Sequence, residues 1–467
     1  MFPEPLASEL KPAPAPGFVA QRLSGLPNLI WFDSGQGFAE LGRYSYLAAA
    51  PAEWYCGRVD HGRSPWSVLP DVLKRFRLSA VAGLPPFQGG IAGLFGYGLN
   101  RSLERVPAHR IDEFQLPDFA LGVYPWVMAW DHLTDRAWIV ATGWPEVDEP
   151  SRRRRAEKQI DDVQTWLRRG CERPSRPHQA AVSPTGLHPV PSLPGISSNF
   201  DRPGFEAAVS RAVAYTHAGD CFQVNLAQRL LTPLTEPAFG LYCRLRQVNP
   251  APFAAFFDAG EFQLLSASPE RFLQLAADGQ VETRPIKGTR PRGITPEHDA
   301  LLGGALQESV KDRAENVMIV DLLRNDLGRV CEFGSVRVDV VCGLESYATV
   351  HHLVSQIRGR LRSDQGPLDL LKAAFPGGSV TGAPKVRAMQ IIAELEPHAR
   401  GAYCGCLGWI GFNGAMDTNI LIRTFTAAKG WLQFPVGGGI VADSDPAREY
   451  EETLYKAAGL VRLWTEP

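Results

Sequence analysis

Short apolar, aromatic-rich runs separated by glycine and proline turns fill residues 18–145, and they restrict this region to a fold with extensive β-structure. The runs include LIWFD, YSYLAAAP, FALGVYPWVMAWD and AWIVATGW. Runs of this length bounded by turn residues are typical of strands rather than of helices. We therefore predict that residues 18–145 are mostly β.

The second half of the sequence adds long helical stretches to such strands. Residues 203–218, residues 297–328 and the segment from Pro446 onward have helical character, whereas CFQVNLAQRLL and WLQFPVGGGIVA have the composition of strands. Long helices mixed with hairpin-like strands favour an α+β fold over a doubly wound parallel sheet. We predict an α+β chain.

Two segments separate these halves. SRRRRAEKQIDDVQTWLRRG, which starts at Ser151, has helical spacing and one charged face, as is typical of a solvated helix. Residues 173–198 are rich in proline, serine and histidine and lack periodicity, as is typical of a flexible linker. We predict an N-terminal region at 1–172, a linker at 173–198 and a C-terminal region at 199–467.

Composition argues against several classes of function. The formal net charge of −2 gives no basic excess for binding nucleic acid. No run of about 18 apolar residues is present to span a membrane, and the N-terminus lacks the apolar core of a signal peptide. The 8 cysteines form no CxxC pair, so we expect reduced thiols in a cytoplasmic protein.

Two pairs of carboxylates have helical spacing. Asp312 and Glu315 lie three residues apart in KDRAEN, and Glu449 and Glu452 lie three residues apart in REYEET. This spacing puts both members of a pair on one face of a helix. Two such faces would hold a hard cation such as Mg²⁺, which takes one or two carboxylates and completes its shell with waters or substrate oxygens. Ion pairs with Lys311, Arg313 or Lys456 are the alternative, and spacing alone leaves both open.

Lys287 lies in the segment TRPIKGTRPRG, close to Arg284, Arg290 and Arg292. The two prolines and two glycines of the segment indicate a loop or strand end with a fixed backbone. Lys287 is therefore either one more solvated cation or an amine that serves as a reagent.

Further polar residues occur in the same half of the chain. Glu270 in SASPERF and His352 in TVHHLVS are candidates for a general acid or base. The glycines of FPGGSVTGAPK and VGGGIVADSD would let backbone N–H groups approach an anion. Arg423, within the apolar pattern TNILIRTF, requires an anionic partner, either a ligand or a structural ion pair. Together these residues predict a site for a small polyanionic substrate.

Six motifs together resemble the chorismate-utilising enzymes. They are GDCFQVNLAQR, PIKGTRPRG, DRAENVMIVDLLRNDLGRV, HHLVSQIRG, FPGGSVTGAPKVRAMQIIAELE and GGGIVADSDPAREYEET. The resemblance is dense over residues 200–465 and looser towards the N-terminus, through FQGGIAGLFGYGL and LPDFALGVYPW. It implies a large fold of two intertwined β-rich subdomains with helices packed outside. It also implies a Mg²⁺ requirement and a glutamine amidotransferase partner that supplies ammonia.

Within this family, Lys287 bears on the product. Anthranilate synthases resemble the sequence but typically have alanine at that position, and they bring ammonia directly to C2 of chorismate. Amination at C4, on the route to para-aminobenzoate and folate, requires a group that first occupies C2 and then leaves, and a lysine amine is such a nucleophile. Isochorismate and salicylate synthases have a water-activating lysine where this chain has Gln223. The resemblance therefore implies 4-amino-4-deoxychorismate as the product.

The resemblance also implies roles for individual residues. Lys287 would attack C2 as a neutral amine, which requires that burial and the nearby Arg290 or Arg292 lower its pKa. Glu270 would protonate the departing oxygen at C4, which requires a raised pKa. The implied metal ligands are Glu315, Glu449 and Glu452, and the implied substrate contacts are Gly288, Thr289, His352, Thr381, Trp409, Arg423, Gly437, Gly438 and Gly439.

Some relatives bind tryptophan in the N-terminal region, as a feedback inhibitor or a structural ligand. The matching stretches here are FDSG, RYSY and APFAAF, although Tyr44 and Ser45 depart from the expected pattern. An L-tryptophan site would be formed by Ser34, Arg43, Tyr44, Ser45, Tyr46, Pro252, Phe253 and Ala254.

Two alternatives accompany this interpretation. One is anthranilate synthase component I, which converts chorismate to anthranilate and expels pyruvate. The other is a non-catalytic relative that only binds chorismate, and the presence of Glu270, Lys287, Glu315 and Glu452 argues against it.

Overall fold

Two large antiparallel sheets organise the residues that the computed structural model describes, which are 2–34, 41–62, 64–171, 181–347 and 350–465. In chain order the strands are β1 (Leu6–Leu10), β2 (Ile30–Asp33), β3 (Tyr44–Ala48), β4 (Glu53–Gly57), β5 (Gly90–Phe95), β6 (Phe119–Tyr124), β7 (Trp126–Asp131), β8 (Arg136–Ala141), β9 (His188–Pro189), β10 (Ser197–Ser198), β11 (Gln223–Pro233), β12 (Phe253–Asp258), β13 (Phe262–Ser268), β14 (Arg271–Leu275), β15 (Gln280–Thr283), β16 (Ile286–Pro291), β17 (Arg337–Ser346), β18 (Val350–Arg360), β19 (Gly382–Ala383), β20 (Cys406–Gly411), β21 (Met416–Asn419), β22 (Thr424–Ala428) and β23 (Trp431–Ile440).

Each sheet combines strands from both halves of the chain. The order of the first sheet is β1-β8-β7-β3-β2-β12-β13-β22-β23-β11-β10-β9, and β19 also pairs with β11. The order of the second sheet is β16-β18-β15-β14-β21-β20-β5-β6-β4, and β17 pairs with the other edge of β18. The N-terminal β2 pairs with β12, and the N-terminal β5 pairs with β20. The two halves are therefore intertwined, as predicted.

Ten α-helices lie among the described residues, together with short 3-10 turns at Val59–His61, Tyr97–Ser102 and Gly378–Val380. They are α1 (Pro16–Leu23), α2 (Pro65–Arg75), α3 (Glu149–Arg169), α4 (Arg202–His217), α5 (Ala238–Val248), α6 (Pro296–Glu308), α7 (Val310–Gly328), α8 (Pro367–Ala374), α9 (Lys385–Leu395) and α10 (Pro446–Thr465). With the two sheets they confirm the α+β class.

The long helical stretch predicted at 297–328 is divided into α6 and α7 at Ser309. Its side-chain oxygen accepts a hydrogen bond from the backbone N–H of Asp312 and so caps the new helix. The residue itself has an extended backbone, which ends α6. The break turns α7 so that Asp312 and Glu315 line a cavity.

Apolar side chains form layers on the sheets. Tyr46 and Phe257 of the first sheet pack in one cluster with Leu94 and Leu407 of the second sheet. A second cluster contains side chains of the first sheet together with those of α1, α3, α5 and α10. A third contains side chains of the second sheet together with those of α2, α7 and α8. The two sheets therefore face each other, and these helices pack outside them, as predicted.

The segment predicted as a linker, 173–198, is described from residue 181 onward. There β10 pairs with β11, and β9 pairs with β10. Val190 and Ile196 are buried, and the N–H of Val182 donates to the carbonyl of Lys429. This part of the segment packs on the edge of the first sheet.

All 8 cysteines are free thiols, in agreement with the expectation from their spacing. Among the described helices, none combines the length and the apolar composition needed to cross a membrane.

Candidate active site

A cavity of about 850 Å³ opens where the two sheets and helices α7 and α10 meet. The first sheet contributes Asn225, Gly437 and Gly439, and the second contributes Lys287 and His352. The cavity therefore draws its walls from elements that are far apart in the sequence. Most of the residues predicted as a catalytic or substrate site lie on these walls.

Lys287 enters the cavity from an irregular strand. β16 pairs with β18, and its register shifts between Lys287 and Thr289. Gly288, between them, has a φ of +81°, and a Cβ there would lie 3.0 Å from Cβ of Asp312. Only glycine adopts this conformation readily in so little space. The bulge thus explains the glycine after Lys287.

Burial lowers the pKa of Lys287 below its ordinary value. The carboxylate of Glu315 opposes this effect, whereas the ammonium group of Lys456 adds to it. Among the described residues, no carboxylate forms an ion pair with Lys287. The pKa of this amine therefore shifts in the direction that its predicted role as a nucleophile requires.

The prediction that Arg290 or Arg292 helps to lower the pKa of Lys287 was wrong. Arg290 pairs with Asp312 at 3.1 Å, and Arg292 pairs with Asp299 at 2.6 Å. Each guanidinium is thus largely compensated by its own carboxylate, and Lys456 is the main neighbouring cation.

Glu270 lies between β13 and β14 and is almost fully buried. Burial raises its pKa to about 7, although the hydrogen bond from Ser379 and the charge of Lys287 lower it. The Ser379 hydroxyl donates to Oε1 of Glu270 at 2.6 Å. A carboxyl group with this pKa is protonated in a large fraction of molecules near neutral pH, as a general acid requires.

The three predicted metal ligands all line the cavity. A Cβ placed on Gly438 would lie 3.2 Å from Oε2 of Glu449 and 3.5 Å from Oε1 of Glu452, so these carboxylates flank one glycine. Burial raises the pKa of Glu315 and of Glu449. Burial also acts on Glu452, but its ion pair with Lys456 and the charges of Lys311 and Lys287 together outweigh that effect and lower its pKa.

The metal-site interpretation and the ion-pair interpretation of these carboxylates both have support. Lys456 lies 2.7 Å from Glu452, which is the predicted ion pair. In the part of the chain that the structure describes, no three acidic, histidine or cysteine side chains converge into a ready-made metal site. The donors nevertheless fit Mg²⁺, because they are hard oxygens that face a cavity where substrate oxygens would complete the shell.

Arg423 lines the cavity without a carboxylate partner among the described residues. Burial lowers the pKa of its guanidinium. Its φ of +50° is uncommon for a residue with a side chain. A structural ion pair was one expectation for this residue, and the described structure does not contain it. An anionic ligand is the remaining interpretation.

His352, on β18, is buried beside the bulge of β16. Its Nδ1 lies 2.9 Å from Oγ1 of Thr289, and both residues line the cavity. Burial and the charge of Arg423 lower its pKa to about 3, so the ring is neutral. It is therefore suited to hydrogen bonding rather than to donating a proton.

Three predicted substrate contacts do not lie on the described wall of the cavity. Gly438 faces helix α10, on the opposite side of β23 from Gly437 and Gly439. Thr381 is fully buried, and its hydroxyl donates to the carbonyl of Gly377 at 3.0 Å. Trp409, on β20, lines a second cavity, because side chains of a strand alternate between the faces of its sheet.

The second cavity, of about 290 Å³, gathers most of the residues predicted for tryptophan. The predicted residues that line it are Ser34, Arg43, Tyr44, Tyr46, Pro252, Phe253 and Ala254. Ser45 does not, and its hydroxyl lies 2.9 Å from that of Ser34 and 2.8 Å from Nε2 of His132.

The sequence did not predict Ser379, Asn225 and Lys456 as functional, although all three line the cavity. Ser379 bonds Glu270, Asn225 projects from β11, and Lys456 faces Lys287. Lys456 follows Glu452 by four residues, a signal that indicated only an ion pair. Nothing in the local pattern around Ser379 or Asn225 distinguishes them from ordinary turn and strand residues.

Comparison with known proteins defines the class. A family model described as chorismate binding enzyme matches residues 28–462. The chain belongs to this family.

Two kinds of synthase are similar to this chain over most of its length. Aminodeoxychorismate synthase component 1 of Klebsiella aerogenes is 46% identical over 79% of this chain and 76% of its own length. Anthranilate synthase component 1 of Thermus thermophilus is 44% identical over 81% of this chain and 78% of its own length. The crystal structure of anthranilate synthase component I from Streptococcus pneumoniae superimposes with a TM-score of 0.76 at 32% identity, over 90% of this chain and 92% of that one. The chain is thus a chorismate-utilising enzyme similar to both kinds of synthase.

Proposed function

We propose that the protein aminates chorismate at C4 to give 4-amino-4-deoxychorismate, with Lys287 as a covalent nucleophile and Glu270 as the general acid. One observation supports this most directly. The two side chains act on one cavity, where burial lowers the pKa of the amine and raises that of the carboxyl group to about 7. A neutral amine and a protonated acid are the forms that the reaction requires.

The first step joins Lys287 to the substrate. The amine forms a bond to C2, the two ring double bonds shift, and the bond from C4 to its hydroxyl oxygen breaks. Glu270 gives its proton to that oxygen, which leaves as water. The nitrogen of the adduct keeps both hydrogens and is positively charged.

The second step releases Lys287. Ammonia forms a bond to C4, the double bonds shift back, and the bond from C2 to the lysine nitrogen breaks. The electron pair returns to Lys287, which becomes neutral again. The new ammonium group on C4 gives one proton to Glu270 and so restores the acid, so that the cycle consumes chorismate and ammonia and releases product and water.

The remaining cavity residues would bind the substrate. Arg423 and the backbone around Gly437 and Gly439 would hold the enolpyruvyl carboxylate, because no carboxylate of the described residues pairs with the guanidinium. Gly288, Thr289 and His352 would contact the ring.

Glu315, Glu449 and Glu452 would hold Mg²⁺, which would neutralise the ring carboxylate of chorismate. The carboxylates would also need the ammonium group of Lys456 to turn away from Glu452, to which it is now paired.

Ammonia would come from a separate glutamine amidotransferase subunit in the cytoplasm. The relatives of this kind are named component 1, which supports a second component. The pathway would be that of para-aminobenzoate and folate.

We propose further that the second cavity binds L-tryptophan. Seven predicted residues line it, and its lining combines aromatic side chains such as Tyr46 and Phe253 with charged ones such as Arg43, as the ring and the charged groups of tryptophan require. Isothermal titration of protein refolded without tryptophan would test this. Absence of binding at millimolar tryptophan contradicts it.

Anthranilate synthesis is the second candidate function. The Thermus thermophilus relative and the Streptococcus pneumoniae structure favour it. It needs the same acid and the same metal site, but it has no use for an amine at Lys287.

Product identification tests the two functions against each other. Purified protein is incubated with chorismate, Mg²⁺ and ammonium chloride, with and without a glutaminase, and products are identified by mass spectrometry and NMR. We expect 4-amino-4-deoxychorismate. A fluorescent aromatic product formed alone with pyruvate supports anthranilate synthesis instead, and no turnover supports a binding protein.

A further inference from the structure

Two carboxamide side chains beside the cavity have polar atoms that lack hydrogen-bond partners among the described residues. Gln223 and Asn225 are two residues apart on β11, so their side chains lie on the same face of the first sheet. Gln223 is fully buried and Asn225 is 7% exposed. Both polar atoms of the Gln223 amide and Oδ1 of Asn225 have no partner among the described residues.

Such groups are costly to leave unpaired. An unsatisfied buried donor or acceptor costs about 1–3 kcal/mol, and native proteins contain few of them. Either orientation of the Gln223 amide leaves an oxygen without a donor. Two adjacent acceptors without donors indicate that a ligand supplies the donors.

Gln223 lies beside the proposed nucleophile. A Cβ placed on Gly439 would lie 2.4 Å from Nε2 of Gln223 and 3.3 Å from Nζ of Lys287. The amide and the amine therefore flank the same glycine.

Asn225 lies on the side of the proposed acid. Its backbone N–H donates to the carbonyl of Thr381 at 2.8 Å. Thr381 follows Ser379 by two residues, and the Ser379 hydroxyl donates to Glu270. Gln223 is thus close to Lys287, and the backbone of Asn225 is bonded to the segment that carries Ser379, the partner of Glu270.

The chemistry of the acceptors limits what binds there. The two carboxylates of chorismate only accept hydrogen bonds, so they match the amide N–H groups but leave the two amide oxygens without donors. Its single donor is the hydroxyl at C4, which leaves in the first step. Ammonia, the other reactant, has three N–H donors.

We propose that Gln223 and Asn225 form the binding site for ammonia. Their oxygens accept two of its N–H bonds, and its lone pair points to C4. A carboxamide accepts a hydrogen bond without taking up a proton, so ammonia stays uncharged and nucleophilic. The assignment of C4 rests on the proposed function, whereas the ammonia site itself serves either synthase.

Steady-state kinetics of Gln223→Leu and Asn225→Leu test the proposal. Rates are measured against ammonium chloride at fixed pH, without a glutaminase, and the KM for chorismate is measured at saturating ammonium. Losing one hydrogen bond of about 1.4 kcal/mol raises the KM for ammonia about tenfold. We expect that rise in each variant, with the KM for chorismate changed less than twofold.

A matched control is available on the same strand. Gln228 is also fully buried, but its amide bonds Ser198 at 2.6 Å and Thr453 at 2.6 Å. Gln228→Leu is expected to lower the free energy of unfolding and to leave the KM for ammonia unchanged. Gln223→Leu is expected to raise the free energy of unfolding, because it removes an unpaired buried amide.

The outcomes are distinct. An unchanged KM for ammonia in both cavity variants overturns the proposal, as does a destabilised Gln223→Leu protein whose two KM values rise together. If wild-type protein makes anthranilate, the proposed function fails while the ammonia site remains testable by the same KM values.

Discussion

The two cavities differ in how their charged side chains are paired. In the second cavity, Arg271 lies between Glu282 at 3.0 Å and Asp417 at 3.2 Å, and Arg43 pairs with Asp131 at 2.7 Å. In the first cavity, Lys287 and Arg423 have no such partners among the described residues. Unpaired charges are costly, and protein folding alone gives no reason to keep them. The difference supports the proposal that the reaction takes place in the first cavity.

Removing the unpaired amine should have the largest effect. Lys287→Ala is expected to lower the rate of C4 amination by about 10³-fold or more, as is typical when a nucleophile is deleted. The measurement is the product of chorismate with ammonium, identified by mass spectrometry. Retention of C4 amination at the wild-type rate would contradict the nucleophile assignment.

Glu270→Gln should come next, with a loss of about 10²- to 10⁴-fold in kcat, the usual contribution of a general acid. The wild-type rate should also fall as pH rises above about 7, because the protonated acid is lost there. The variant should lack this alkaline limb.

The same substitution has a consequence for stability. The folded-state pKa of Glu270 lies above its ordinary value, so its burial increasingly destabilises the fold as pH rises from about 4.5 towards 7. The stability of Glu270→Gln relative to wild type should therefore be greater at pH 8 than at pH 5, as measured by urea unfolding. An identical difference at both values would argue that Glu270 ionises normally.

Arg271→Met, in the second cavity, should have the opposite effects, with a large loss of stability and no change in kcat. It leaves Asp417 buried without a cation and leaves Glu282 with Arg358 alone, at a cost of about 3–5 kcal/mol. Urea unfolding should show this loss, whereas kcat per folded molecule should stay at the wild-type value. A large drop in kcat would show that the two cavities are coupled.

Glu452→Gln should have the smallest effect. It is expected to raise the Mg²⁺ concentration for half-maximal rate by about 10- to 100-fold, the range found when groups that support a metal are removed. Glu394→Gln, at an exposed acid paired with Arg211, is the control. Equal Mg²⁺ dependence of the two variants would remove Glu452 from the metal site.

The sequence predicted the α+β class, and most of the residues it predicted for the catalytic and substrate site line the cavity. Helical spacing brought Glu449 and Glu452 together on α10, and the family resemblance singled out Lys287 and Glu270. The sequence does not show which cavity each side chain faces. Whether Trp409 faces the first or the second cavity depends on which face of the second sheet β20 presents.

Electrostatic neighbours were the least predictable feature. Arg290 and Arg292 lie near Lys287 in the sequence, but each has a carboxylate of its own. Lys456 comes from a helix that begins 159 positions after Lys287 (Pro446 in the numbering of the chain) and has the larger influence. The unpaired amides of Gln223 and Asn225 were likewise invisible, because hydrogen-bond partners are known only once the strands are paired.

The sharing of both sheets between the two halves of the chain has a consequence for synthesis. A ribosome releases the N-terminal half first, when β2 has no β12 beside it and β5 has no β20. Until the second half has emerged, these strands have unpaired edges that can pair with other chains. The nascent protein should therefore depend on chaperones late in translation, and splitting the gene near residue 180 should yield two fragments that are insoluble apart.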